Sequence, residues 1–231
     1  MNYSISIIIP AYKEEKFIED VIINLQKKLE ENNFVYEIII VLDRASEDRT
    51  EEIVKQLADN EKIILITRDE KLGVGSAVKD GIKSAKNEVI LITTAEISED
   101  PNDLIKLLHK INEGYDLVSG NRFHGSKIEG YSKKQYIANR LCNFTIRTLF
   151  GIKLNDITNG VKVYKSSILK NIDLSANSFD IFAEIPIKIL KNKKIKFHEI
   201  PVTHMVRDQK FSKFNFSKEA KLFLKIVLKC L

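Results

Sequence analysis

With 231 residues, 44% of them hydrophobic and 30% charged, the chain is long enough to bury one substantial core. Its composition is that of a folded domain rather than a disordered or collagen-like one. The net charge of +5 comes from 37 basic against 32 acidic residues, an imbalance too small to argue for nucleic acid by itself. No apolar run approaches the ~20 residues that cross a bilayer, and Met1–Ile9 lacks the basic region, long apolar stretch and cleavage site of a signal peptide.

Three short apolar runs, Ile5–Ile9, Glu37–Leu42 and Val89–Ile92, each stop abruptly at polar residues. Short β-branched runs separated by helical patterns predict a parallel sheet flanked by helices, and ligands of such sheets sit beyond the carboxyl ends of the strands. After the first run, Phe17, Val21, Ile22, Leu25 and Leu29 recur at helical spacing and predict a crossover helix. Thr50–Ala58 repeats the pattern with Ile53, Val54 and Leu57, and Ile63–Ile66 supplies another strand. Gly73-Val74-Gly75-Ser76-Ala77 opens a helix that continues through Val78, Ile82 and Ala85. Asp103–Ile111 is a further helix and Leu117–Gly120 a short strand. The alternation then ends: Gly125–Lys134 is polar and glycine-containing, which predicts a mobile loop. A helix over Gln135–Phe150, a strand over Val161–Tyr164, a helix over Ile181–Leu190 and a strand over Ile195–Val202 complete the reading. No repeat or long linker divides the chain, so a single domain over 1–213 with a basic helical tail over 214–231 is expected.

Cys142 and Cys230 lack metal-ligand spacing and fit a reducing compartment. His109, His124, His198 and His204 form no close-spaced ligand pair, so structural roles are expected of them. The pair Gly73 and Gly75 has two readings. The glycines can admit a pyrophosphate to a helix amino end, or they can serve a tight turn with close packing. Asp43, at a strand end, can accept hydrogen bonds from a base edge or a ribose hydroxyl. Its other reading is a cap for the next helix, a task that Asp48 or Thr50 can take instead.

Ser6-Ile7-Ile8-Ile9-Pro10-Ala11-Tyr12-Lys13-Glu14-Glu15, the segment Val41–Thr50, Gly73–Ala77 with Gly81, and Asp156-Ile157-Thr158-Asn159-Gly160-Val161-Lys162 together resemble the inverting family-two glycosyltransferases. Within them the chain is most similar to the polyprenyl-phosphate sugar synthases, the dolichol-phosphate mannose and glucose synthase group, from about Ser4 to Lys213. The resemblance implies a GT-A, Rossmann-like fold for a nucleotide-diphosphate sugar. In it Pro10, Ala11, Tyr12, Glu14 and Asp43 hold the base and ribose, and Lys71, Gly75 and Ala95 complete the nucleotide site. Lys13 stands where the family usually has Asn, Arg44 replaces a second acid or small polar residue, and Lys71 stands where an Asn commonly precedes the glycines.

The family's metal motif, Asp-x-Asp followed by Gln, falls on Thr94-Ala95-Glu96-Ile97-Ser98. A magnesium or manganese ion prefers carboxylate and phosphate oxygens, and its charge offsets a leaving diphosphate. Thr94 removes one anionic ligand, which leaves Glu96, with a neutral oxygen of Ser98 or Thr94, as the expected metal contacts and Glu96 as a catalytic candidate; the alternative is that Lys71 and Arg207 replace part of the ion's charge.

Gly120-Asn121-Arg122-Phe123 resembles the family's Gly-Ser-Arg-Phe, and Arg207–Lys213 resembles its Arg-x-x-Gly-x-Ser-Lys without the glycine. By that resemblance Arg122, Arg207, Ser212 and Lys213, with Arg140, surround an acceptor phosphate, to which arginine offers paired donors. A phosphate is already ionised near neutral pH and needs no general base. Glu184, in Phe179–Glu184, is the candidate beside the active site; its alternative is a helix-face pairing with a lysine. The tail carries Lys218, Lys221, Lys225 and Lys229 with an apolar flank of Leu222, Phe223, Ile226, Val227 and Leu228. Such a helix either lies on an anionic membrane at its cytoplasmic face or packs on protein. The expected activity is inverting transfer of a hexose from a nucleotide-diphosphate sugar to a polyprenyl phosphate. Two alternatives stand: a hydroxyl acceptor, with Asp100 or Glu184 as base, and a non-catalytic nucleotide-sugar-binding relative. The basic stripe lacks a nucleic-acid reading motif.

Overall fold

The computed structural model describes residues 3–44, 48–58, 61–70, 72–95, 100–125, 128–130, 132–205 and 216–231. The elements run β1 (Ser4–Ala11), α1 (Ile18–Glu31), β2 (Val35–Asp43), α2 (Thr50–Leu57), β3 (Ile63–Arg68), α3 (Val74–Ser84), β4 (Val89–Ile92), α4 (Pro101–Ile111) and β5 (Leu117–Asn121). They continue with β6 (Ile128–Glu129), α5 (Lys133–Phe150), β7 (Lys162–Lys165), α6 (Ser166–Leu169), α7 (Ile181–Leu190), β8 (Phe197–Pro201), β9 (His204–Met205) and α8 (Phe216–Cys230).

Among the described residues a seven-stranded sheet has the order β3-β2-β1-β4-β7-β5-β8. Pairing is parallel except where β7 lies antiparallel to both β4 and β5. The Gly125–Lys134 segment, expected to be loop throughout, contains β6, which pairs with β9 in a second, two-stranded sheet. Backbone pairing at a distance of many residues leaves no signal in a two-residue sequence window.

Period-two alternation sends successive side chains to opposite faces. Ile5, Ile7 and Ile9 of β1 with Ile38, Ile40 and Leu42 of β2 meet α1 and α4 in one core. Ile8, Ile39 and Val41 meet α3, α7 and α8 in the other. Both faces of the sheet are thus covered, which is why these strands read as unbroken apolar runs.

Helix ends follow local chemistry. Asp100 caps α4 by accepting from the Asn102 amide at 2.8 Å, with Pro101 in the first turn. Ser132 and Gln135 form a capping box on α5, and Gly151, at φ 60°, closes that helix in the left-handed region. The tail helix α8 turns Ile226, Val227 and Cys230 into the second core, with Phe223 packed against it. Of the two readings of this flank, most of it takes the one that packs on protein, and the outward apolar residues among those described are Leu224, Leu228 and Leu231. Among the described residues no helix is long and apolar enough to cross a membrane.

Candidate donor and acceptor site

The carboxyl ends of β1, β2, β3 and β4 form a rim. Pro10 and Ala11 end β1 and are buried, and Tyr12 is half-buried beyond them. The following turn is tied to the start of α2. The Glu14 amide donates to Thr50 Oγ1 at 2.8 Å, Thr50 Oγ1 reaches both Asp48 oxygens at 2.8 Å, and the Glu15 amide donates to Asp48 Oδ2 at 3.2 Å. Asp48 also accepts from the Thr50 amide, so Asp43 is released from capping. Lys13 sits in this turn at φ 57°, in the left-handed region. Asparagine enters that region at lower cost than most residues, which gives a backbone reason for the Asn usual at this position in the resembling family.

Asp43 is Cα partner to Arg68 across the β2–β3 ladder, and the two buried side chains form an ion pair. Arg68 also donates from Nη2 to the Gly73 carbonyl at 3.1 Å and from Nη1 to Asp80 at 3.4 Å. The charges touch, yet Asp43 Oδ1 and Arg68 Nε complete no hydrogen bond. Thr93, fully buried just past β4, likewise has an Oγ1 without a partner. Among the described residues only one other buried side-chain polar atom is in this state, Arg147 Nε. A buried atom with no partner of any kind costs ~1–3 kcal/mol unless something outside the chain satisfies it; Arg68 Nε and Thr93 Oγ1 lie at the ends of β3 and β4, while Asp43 Oδ1, at the end of β2, is met by the Arg68 charge.

The glycine pair follows its packing reading. A Cβ on Gly73 would lie 2.3 Å from the Asn177 carbonyl oxygen, and one on Gly75 2.7 Å from Ser178 O. The Gly75 amide donates to Asn177 O at 3.1 Å, so the expected contact from Gly75 to a diphosphate would have to displace that bond. The close approach is to the chain's own backbone ahead of α7. Ala95 is buried at the β4 end. Lys71, Glu96 and Ser98 lie outside the described residues, as do Arg207, Ser212 and Lys213.

Beyond β5, Arg122 is held by Asp156. Its Nε and Nη2 donate to the two carboxylate oxygens at 2.8 Å each, and its amide donates to Oδ2 at 3.0 Å. Burial would raise the Asp156 pKa, but the Arg122 charge and hydrogen bonds, with the nearby Lys162, outweigh it and hold the carboxyl below its usual range. Glu199 fixes the same loop, accepting from the Asn155 and Asp156 amides at 2.9 and 3.0 Å. Asn143 of α5 accepts from the Ile157 amide at 2.7 Å. The Phe123 ring gathers the two described acceptor candidates, with the Arg122 and Arg140 guanidinium carbons 5.3 and 5.1 Å from its centroid.

Glu184 is fully buried and its carboxylate is committed to the protein. It accepts from the Ser175 hydroxyl and the Ala176 amide at 2.8 Å each and pairs with Lys188 at 2.7 Å. Burial pushes its pKa up, and these partners more than reverse that, leaving it lowered. The lysine-paired alternative is therefore the one observed. Arg68 and Thr93 are absent from the sequence-based site; a charged residue ending a buried strand in register with Asp43 was the available signal for the first.

The chain matches the model of Glycosyl transferase family 2 over residues 6–173. It belongs to that family. It is 29% identical over 217 residues to the dolichol-phosphate mannosyltransferase of Pyrococcus furiosus, covering 90% of this chain and 58% of that protein. A second relative, the UDP-N-acetylglucosamine–dolichyl-phosphate N-acetylglucosaminyltransferase of Methanococcus voltae, is 29% identical over 218 residues, with 86% and 84% covered. The chain thus spans little more than half the length of the Pyrococcus relative. In fold it is similar to glucosyl-3-phosphoglycerate synthase from Mycobacterium tuberculosis, solved with Mn2+, uridine diphosphate and phosphoglyceric acid. The TM-score is 0.75 at 16% identity, over 99% of this chain and 78% of that one. The architecture is the GT-A fold.

The described residues do not fit a divalent ion. No group of three His, Cys, Asp or Glu among them could hold one, and the β4 end offers the neutral Thr93, Thr94 and Ala95.

Proposed function

We propose that this protein transfers a hexose from a nucleotide-diphosphate sugar to a polyprenyl phosphate, with inversion at the anomeric carbon. The observation that carries the reading is the gathering, at the rim where ligands of such sheets bind, of the buried Asp43–Arg68 ion pair with two polar atoms that lack a hydrogen-bond partner, Arg68 Nε and Thr93 Oγ1. In this reading Pro10, Ala11, Tyr12, Glu14 and Asp43 hold the nucleoside, with Lys71 and Ala95 nearby. Arg122, Arg140, Arg207, Ser212 and Lys213 gather the acceptor phosphate. An acceptor oxygen attacks the anomeric carbon, the bond from that carbon to the diphosphate breaks, and the nucleoside diphosphate leaves with the bonding electrons. No proton need be removed from an ionised phosphate. No step is assigned to a metal ion; Glu96 with Ser98 is the pair proposed to contact one.

The lipid acceptor is supported by the names of the two relatives and by the Arg122–Phe123–Arg140 stack. A hydroxyl acceptor is less well supported, because both candidate bases are committed: Glu184 to Lys188 and the 175–176 backbone, and Asp100 to its cap. The proposed setting is the cytoplasmic face of a membrane, with which the free thiols of Cys142 and Cys230 agree. The test is incubation of the full chain with a panel of nucleotide sugars and a detergent-dispersed polyprenyl phosphate, read by mass spectrometry. A hexosyl-phosphoryl lipid is the expected product. Saturable nucleotide-sugar binding without that product would favour the non-catalytic relative.

A further inference from the structure

We infer that Asn143 is a positioning residue that locks α5 to the 155–160 loop through the Thr158 hydroxyl and so sets the spacing of Arg122 and Arg140, an inference that rests on the acceptor-phosphate reading proposed above. This 18-residue helix buries only Asn143 and Ile146. A buried asparagine inside a helix carries propensity and desolvation costs that a leucine at the same place would avoid. What it supplies instead is direction. Its amide has fixed donor and acceptor positions, whereas an apolar contact tolerates sliding.

That amide is fully used. Asn143 Oδ1 accepts from the Ile157 and Thr158 amides at 2.7 and 3.2 Å, and Nδ2 donates to Asn139 O at 2.9 Å and to Thr158 Oγ1 at 3.1 Å. The Thr158 hydroxyl is the joint. It accepts from Arg122 Nη2 at 3.2 Å as well as from Asn143, and it donates to Asn139 Oδ1 at 3.5 Å. The other Nη2 proton of Arg122 goes to Asp156 Oδ1 at 2.8 Å, so both protons of that nitrogen are directed into the loop. Glu199 of β8 holds the loop at the 155 and 156 amides, and Asn143 holds it at the next two. The loop is thus fixed from the sheet on one side and from α5 on the other.

The two guanidinium groups ride on different elements. Arg122 follows β5, whereas Arg140 stands on α5 between Asn139 and Asn143. Both lie against the Phe123 ring, which also meets Tyr136 of α5 edge-on with the centroids 5.5 Å apart. Ring contacts of these kinds are worth on the order of 1 kcal/mol each and have broad geometric preferences, so they leave α5 able to slip along its axis. A slip of one residue is about 1.5 Å. That is enough to take one guanidinium out of hydrogen-bond reach of a phosphate held by the other. The directional bonds of Asn143 oppose the slip, and a phosphate shared by the two arginines then depends on a side chain buried behind them.

The experiment is calorimetric titration of the full chain with geranyl phosphate, a short prenyl phosphate. Asn143→Leu should bind it about tenfold more weakly than the wild type. This change also strips the Ile157 and Thr158 amides of their acceptor, so its melting temperature should fall. Thr158→Val leaves those two bonds in place and cuts only the joint. It should melt close to the wild type and bind about three- to tenfold more weakly, and Thr158→Ser, which keeps the hydroxyl, should restore binding. The Thr158 pair decides the matter where Asn143→Leu does not fold. In an Arg140→Ala background the loss from either substitution should shrink to about twofold or less, because the guanidinium to be placed on α5 is gone. Equal losses in both backgrounds, undiminished binding by Thr158→Val, or no rescue by Thr158→Ser would overturn the inference and leave the acceptor reading standing. No binding of geranyl phosphate to the wild type would sink the acceptor reading and this inference with it.

Discussion

The rim above β2, β3 and β4 and the loop at 155–160 treat their buried polar atoms in opposite ways. On the rim, Arg68 Nε and Thr93 Oγ1 are left without hydrogen bonds, and Asp43 Oδ1 meets Arg68 as an ion pair. On the loop, Asp156 is matched to Arg122 and Glu199 to the 155–156 backbone. A saturated network fixes its members in one arrangement, whereas unpaired buried groups remain available to a ligand. In the proposed reading, the rim is the donor half and is incomplete by itself, and the 155–160 loop is a preset platform that holds Arg122 in place for the acceptor.

Substitution on the saturated side should break stability first. Asp156→Asn leaves the buried Arg122 without a counter-charge and should cost about 3–5 kcal/mol in urea unfolding. The same pair sets an acid limb. The folded-state pKa of Asp156 is lowered, so its contribution is complete above the ordinary aspartate value of about 3.9. It is lost as pH falls through the lower folded value. Urea midpoints taken at successively lower pH should show this limb in the wild type and lack it in Asp156→Asn; an identical limb in both assigns it elsewhere.

Glu184→Gln should cost about 1–3 kcal/mol of stability while the folded fraction keeps its transfer rate. A variant that melts normally but transfers nothing would restore a catalytic Glu184. On the unsaturated side the sign reverses. Thr93→Val removes a buried hydroxyl that has no partner in the free chain, and should stabilise it by about 1 kcal/mol while weakening nucleotide-sugar binding. Loss of stability without loss of affinity would mean that Thr93 Oγ1 has a partner within the protein. The smallest effect belongs to the turn before Glu14: Lys13→Gly should gain about 0.5–1 kcal/mol, since glycine takes the left-handed backbone without a Cβ clash, and thermal melting would register it.

The strands were legible because both faces of the sheet are covered, so runs such as Ile7-Ile8-Ile9 and Ile38-Ile39-Ile40 carry the signal without needing alternation. Asp43 was legible as a carboxylate closing such a run. Arg68 was not, because its importance lies in register with Asp43 across the ladder and in its reach to the Gly73 carbonyl. The two glycines were ambiguous for a related reason: what crowds them is the Asn177–Ser178 backbone, about a hundred residues away in sequence. Helix α8 showed its amphipathic pattern plainly, but the direction of its apolar side depended on α7. Helix α5 has a weak pattern because apolar residues stand on both its sides, Ile146 inward and Ile137, Leu141 and Phe144 outward.

The central claim, that an activated sugar completes the rim beside Asp43, is tested most directly by calorimetric titration of nucleotide-diphosphate sugars into the wild type and Asp43→Asn. The account predicts one saturable site in the wild type and affinity about 10- to 100-fold weaker in the variant, the range expected for loss of a charged hydrogen-bond acceptor. Equal affinity in the two proteins, or no binding of any nucleotide sugar to the wild type, would contradict it.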